Sequence, residues 1–240
     1  MTTQTNLNAI YDVANALLDT EVKIDEVWDR VEHPFFTGIY DSSLKLKDAG
    51  PYILRFKMRT SKVDIRVGNN VERVKEFYRE VFKKTQRYID YINIVNKPYL
   101  PLFFELTEKY LSVEDFSHFL AVMWKTVEFT NASLYITCEK FVEYFKRADI
   151  NFMISKEEVE KFNSLPDEVV IYRGVNSNGS VRALSWTLSK DTAKWFADRF
   201  RKNGNVFKAK IKKEHICAYF EHEEEVVVDF NMLYDIKKIG

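Results

Sequence analysis

The chain predicts an α+β protein, with a helical region over residues 1–165 followed by a region of short strands over residues 166–240. Two observations carry that expectation. Through most of the first two thirds, apolar residues recur at the four-three spacing of a buried helix face. Beyond Pro166 they gather instead into short runs rich in valine and isoleucine, which fit a pleated sheet. Helices first, then strands with a single helix among them, is the order of an α+β chain rather than an alternating α/β one.

Taken in order, Leu7, Ile10, Tyr11, Ala14, Leu17 and Leu18 predict a first helix, and Val22 to Val31 a weaker second one that His33-Pro34 stops. Gly50-Pro51 marks a turn ahead of a strand over 52–58. A long helix starts near Asn70, with Val74, Tyr78, Val81, Thr85, Tyr88 and Ile92 inward and a solvated charged face outward. After Pro98 and Pro101, Leu102, Phe103, Leu106 and Tyr110 predict another helix, and Ser112-Val113-Glu114-Asp115 opens the next with acid in its first turn. Phe116, Leu120, Met123, Val127, Leu134, Cys138, Phe141 and Phe145 continue the spacing, with a break near Asn131, and 155–162 forms a last short helix. Strands then follow at 169–172, 183–187, 206–211, 216–219, 226–228 and 232–239, with a helix over 190–201.

With 240 residues, 46% of them hydrophobic, the chain can bury a core of its own. The 36 lysines and arginines balance 36 aspartates and glutamates, so no global basic field gathers nucleic acid or anionic membrane. A signal-peptide pattern and a bilayer-length apolar run are both missing from the sequence, which places the expected protein in the cytoplasm. Cys138 and Cys217 each lack a nearby second cysteine, so both are expected in the core, and no histidine has a partner at metal-ligand spacing.

The chemistry concentrates near the end, where Glu221-His222-Glu223-Glu224-Glu225 runs into Val226-Val227-Val228. Glu225, expected as the last loop residue before that strand, would be a carboxylate on a rigid support, while a surface hairpin with a solvated acidic turn fits the same letters. Arg173 closes an earlier strand ahead of Gly174, which lets the backbone turn and another group come close; a guanidinium there suits a diphosphate or ribose. Ser185 and Thr187 share one face of the next strand and Trp186 takes the other, while Ser189 caps the following helix. Trp195, Phe196 and Phe200 are expected in that helix's core. Arg199, Arg201 and Lys202, around Gly204, fit either a diphosphate contact or a solvated basic helix end. Tyr219 and Phe220 fit either an aromatic wall or a buried strand end.

Tyr172-Arg173-Gly174, Leu184-Ser185-Trp186-Thr187 with Ala193-Lys194-Trp195-Phe196-Ala197, and Glu223-Glu224-Glu225-Val226-Val227-Val228 together resemble the arginine, serine and Glu-x-Glu signatures of mono-ADP-ribosyltransferases, in the family's order. The resemblance covers roughly residues 166–240. It implies a split mixed β-sheet core around an NAD cleft, with residues 1–165 as an accessory helical region that also takes part in core packing. Arg173, Gly174, Ser185 and Thr187 would hold NAD, Glu225 would be catalytic, and Glu223 would prepare the acceptor, a protein arginine. No metal is implied. Two departures stand out: Ser-Trp-Thr replaces the family's Ser-Thr-Ser, and the segments that choose the acceptor are short. An NAD glycohydrolase and a non-catalytic NAD- or nucleotide-binding module are the alternatives; zero net charge and Glu223 argue against a nucleic-acid acceptor.

Overall fold

The computed structural model describes residues 3–25, 30–36, 40–41, 63–64, 66, 68–127, 133–176, 179–199 and 204–240. The chain divides into two compact units, residues 1–127 and 128–240. The strand expected over 52–58 lies outside the described residues, as do Phe200, Arg201 and Lys202.

In the first unit, helix α1 (Leu7–Leu18) opens on Asn6, whose side chain accepts the Ala9 N–H at 3.1 Å, and it buries Ile10, Ala14, Leu17 and Leu18. Where a helix is expected over 22–31, the described residues form strands instead. Strands β1 (Lys23–Asp25) and β2 (Arg30–Glu32) pair antiparallel there, with β-branched Ile24 opposite Val31. A second small pair joins β3 (Tyr40–Asp41) to β4 (Val63–Asp64). Helix α2 (Asn70–Lys84) ends earlier than its periodicity implies: Thr85 turns extended and its hydroxyl donates to the Val81 carbonyl at 2.9 Å, and a 3-10 turn over Tyr88–Asn93 carries Tyr88 and Tyr91 inward. Helices α3 (Leu100–Thr107) and α4 (Val113–Thr126) complete the unit, with Ser112 capping α4 as its sequence predicts.

Aromatic rings fill this core: Phe35 packs on Phe82 (centroids 4.9 Å apart), Tyr91 on Phe103 (4.8 Å) and Tyr88 on Phe119 (4.5 Å). His33 sits among them at 1% exposure. Its Nδ1 accepts the N–H groups of Phe35 (3.1 Å) and Phe36 (3.3 Å), which fixes the proton on Nε2, 3.3 Å from the Leu18 carbonyl. Burial lowers its pKa from 6.5 to about 4, with a smaller contribution from Lys75, so the ring is neutral at pH 7.

The second unit begins well before Pro166, and it groups helices α5 (Cys138–Arg147), α6 (Ile150–Met153) and α7 (Lys156–Asn163) with the sheet. The strands are β5 (Glu168–Val175), β6 (Ser185–Thr187), β7 (Asn205–Lys212), β8 (Ile216–Phe220), β9 (Glu225–Val228) and β10 (Tyr234–Lys238), with helix α8 (Lys190–Asp198) between β6 and β7. They form one six-stranded sheet in the order β10-β7-β5-β6-β9-β8.

Every neighbouring pair is antiparallel, so the sheet is not the mixed one expected. The crossover through α8 does return β7 in the direction of β6, as a helical crossover should. Between those two lies β5, running against both, and no parallel pair arises. β5 and β7 pair from Glu168↔Lys212 to Val175↔Asn205, whereas β5 and β6 meet only at Tyr172↔Thr187. That narrow seam separates β10-β7-β5 from β6-β9-β8.

Candidate functional site

Arg173 lies near the end of β5, next to Tyr172, the residue that pairs with Thr187 of β6 across the seam. Its Nη1 donates to the main-chain oxygen of Ser185, and its Nε to that of Ser180 at 3.1 Å. Burial draws its pKa from 12.5 to about 10, opposed by the Glu225 carboxylate and then by Cys138, so Arg173 stays charged at neutral pH in the field of Glu225.

On β6, Thr187 stands directly opposite Glu225 of β9 and Ser185 opposite Val227, so register puts both hydroxyl residues on the Glu225 face of that pair. Trp186 takes the other face, buried, with its indole N–H donating to the Ala183 carbonyl at 2.9 Å. Thr187 is 5% exposed. Its hydroxyl donates to the Glu223 carbonyl at 2.8 Å and accepts the Ser189 N–H at 3.1 Å, while the Leu188 N–H donates to the Glu224 carbonyl at 3.0 Å. The turn that carries the carboxylates is therefore latched to the end of β6.

That turn differs from its expected form. Residues Glu221–Glu223 make one 3-10 turn, Glu224 is left-handed at φ 46°, and Glu225 is the first residue of β9 rather than the last of a loop. The directions of Glu223 and Glu224 are thus set by turn geometry, not by strand alternation. Glu158 supports the turn from below, a role that its sequence signals only as part of a cap: in the Ser155–Glu158 capping box its Oε2 accepts the Ser155 N–H at 2.8 Å, and its Oε1 accepts the Glu221 N–H at 3.0 Å.

Gly174 does admit a close neighbour, and that neighbour is helix α8. A Cβ on Gly174 would drive into the Ala193 carbonyl oxygen and stand 2.5 Å from the Ala197 nitrogen; one on Gly204 would stand 2.7 Å from the Val175 oxygen. The buried residues of α8 are accordingly Ala193 and Ala197. Backbone-to-backbone packing leaves no room there for large rings, so Trp195, expected in the helix core, is 57% exposed. With Phe196, Asp191, Thr192, His222 and Glu223 it lines a surface groove of about 410 Å³. Arg173, Ser185 and Glu225 do not line this groove; Glu223 does, and its main-chain carbonyl accepts the Thr187 hydroxyl at the end of β6.

Tyr219 and Phe220 are buried strand-end residues. Cys138 and Cys217 are partly exposed rather than deep in the core. Burial still pushes the Cys217 thiol up to about 12 and raises that of Cys138, which keeps both protonated at neutral pH. Among the described residues there is no group of three or more histidines, cysteines and acids that could hold a metal, and no helix long and apolar enough to cross a membrane.

Neighbouring strand ends at the seam thus carry one charged guanidinium, the hydroxyl residues Ser185 and Thr187, and Glu225, with Glu223 in the adjoining turn, an arrangement able to hold an anionic, hydroxyl-rich ligand and to stabilise positive charge beside it. Comparison with protein-family models, curated proteins and solved structures gives no match for this chain.

Proposed function

We propose that the second unit is an NAD-dependent mono-ADP-ribosyltransferase that modifies a protein arginine. The observation that carries this reading is the strand order: β5, β6 and β9 are neighbours, so Arg173, Ser185 with Thr187, and Glu225 occupy three adjacent strands, which supports one shared site for the three signatures. The seam, where only Tyr172↔Thr187 pair, supports a sheet split into two halves with the NAD cleft along it.

In this reading Arg173 and Ser185 hold the nicotinamide mononucleotide part of NAD, with Thr187 and Gly174 shaping the strand ends around it. The bond between ribose C1′ and the nicotinamide nitrogen breaks, and its electron pair leaves with nicotinamide, which becomes neutral. Glu225, hydrogen-bonded to a ribose hydroxyl, stabilises the positive charge that grows on the ribose. A guanidinium nitrogen of the acceptor bonds to C1′ and gives up its proton to Glu223.

Incubation with labelled NAD and whole-cell lysate, followed by mass spectrometry, tests the proposal. Label on arginine side chains is expected. Free ADP-ribose alone would make the protein a glycohydrolase, and unchanged NAD would leave it a binding module.

A further inference from the structure

The groove between α8 and the 221–224 turn presents an aromatic ring beside two carboxylates. Because the inward face of α8 is sealed by alanine and glycine, Trp195 keeps 57% of its surface in solvent. Beside it are Phe196, edge-on at 4.9 Å between ring centroids, and two carboxylates, exposed Asp191 from the first turn of α8 and partly buried Glu223 from the facing turn. An aromatic face bordered by acids is complementary to a planar cation, because the ring quadrupole and both carboxylates attract the same sign of charge. The chain supplies an example of that pairing itself, since the Arg199 guanidinium carbon lies 5.4 Å from the centre of the Trp195 ring. Arg173 and Ser185 do not line the groove.

We propose that this groove is the acceptor subsite, seating the guanidinium of an arginine in a basic segment of a protein partner, with Trp195 as the platform and Asp191 and Glu223 as counter-charges. The inference rests on the transferase reading above and adds to it the residues that choose the acceptor. Glu223 then works at a boundary, with the acceptor on its groove side and the ribose on its seam side. Asp191 and Trp195 act as specificity residues, and they select arginine over lysine because the flat guanidinium stacks on an indole and forks onto a carboxylate, whereas an ammonium does neither.

The test uses the full chain and two probes. In the first measurement, calorimetry without NAD follows an arginine-bearing basic peptide and its citrulline counterpart, which has the same shape without the charge. The arginine peptide should bind, the citrulline peptide should not, and Trp195→Ala and Asp191→Asn should each weaken binding by about fivefold to tenfold. In the second, agmatine serves as the small acceptor, and both variants should raise its KM by a similar factor with the KM for NAD held. Both positions are on the surface, and thermal unfolding of each variant checks that the fold is kept. Because the peptide measurement requires no turnover, a protein that binds the peptide but leaves NAD intact overturns the transferase reading while the basic-segment site stands. If NAD is turned over and the variants keep the parental KM for agmatine, the acceptor subsite is overturned and the transferase reading stands. A rise in the KM for NAD instead of agmatine would assign the groove to the pyridinium ring of NAD and overturn the inference as well.

Discussion

Thr187 faces Glu225 across the β6–β9 pair, and its hydroxyl, 2.8 Å from the Glu223 carbonyl oxygen, holds the turn that delivers both carboxylates. The same oxygen accepts the Ser189 N–H. Thr187→Val keeps the shape and removes both bonds from a buried position, which should cost about 1–3 kcal/mol. Urea unfolding checks the stability, and a fall in nicotinamide release larger than that loss of folded protein would show that the turn positions the carboxylates. An unchanged urea midpoint would mean that the latch carries no weight.

The three glutamates should separate by role. Glu225→Gln removes the charge with little change of shape and is expected to lower both transfer and hydrolysis by on the order of a hundredfold. Glu223→Gln should lose transfer and keep cleavage by water. Glu224 is exposed and left-handed, so Glu224→Gln should have little effect on either activity. Assaying nicotinamide release and labelled acceptor in parallel distinguishes the three, and an active Glu225→Gln would show that the catalytic carboxylate is elsewhere.

Arg173→Lys keeps the charge, but a lysine cannot span the Ser180 and Ser185 carbonyl oxygens as the guanidinium does. NAD should bind more weakly and the Tm should fall. Calorimetry and thermal unfolding are the measurements, and an unaltered NAD affinity would refute the assignment.

At Gly174 the added methyl of an alanine would meet helix backbone, which cannot swing aside as a side chain can. Gly174→Ala should therefore destabilise by about 1–3 kcal/mol, at the level of other overpacked sites. A neutral urea midpoint would mean that α8 is free to lift.

Neutral His33 gives the first unit a pH dependence. Its folded pKa, about 4, is below the unfolded 6.5, so the unfolded chain binds more protons between those values. Stability is complete above pH 6.5 and falls as pH drops towards 4, by up to about 3 kcal/mol. Protonation of Nδ1 would also break both bonds to the Phe35 and Phe36 amides. In the second unit Asp229 acts in the same direction: burial raises its pKa, but hydrogen bonds from Lys146 and Asn231 outweigh that and hold it below its usual value. Urea midpoints at pH 7 and 4.5, with the His33 ring titration by NMR, test this; a His33 pKa near 6.5 would contradict it.

What the sequence showed was what local rules govern. Ser112 and Ser189 cap their helices as their letters predict, and β5, β7, β8 and β9 lie where valine and isoleucine cluster. The β1–β2 pair was missed because its few apolar residues fit either period. Trp195 was assigned to the core because periodicity marks which residues share a helix face but not which face is sealed, and that is decided by Gly174 and Gly204, distant in sequence. For the site, the choice of Arg173, Ser185 and Glu225 was legible as motifs. Their placement on adjacent strands, the latch at Thr187 and the support from Glu158 depend on non-local pairing, for which the letters carry no local signal.

The single residue pair that joins β5 to β6 makes the sheet behave as two stiff plates meeting along a hinge line. Within each plate the ladders resist twisting; across the line the strands themselves share the pair Tyr172↔Thr187 and the grip of Arg173 on Ser185, while α8 packs against strands on both sides. The spacing between the plate that bears Arg173 and the plate that bears Glu225 is therefore set by α8 and these few contacts instead of by a continuous ladder. A ligand that touches both plates would act as a splint, and slower amide exchange along β6 would report its arrival.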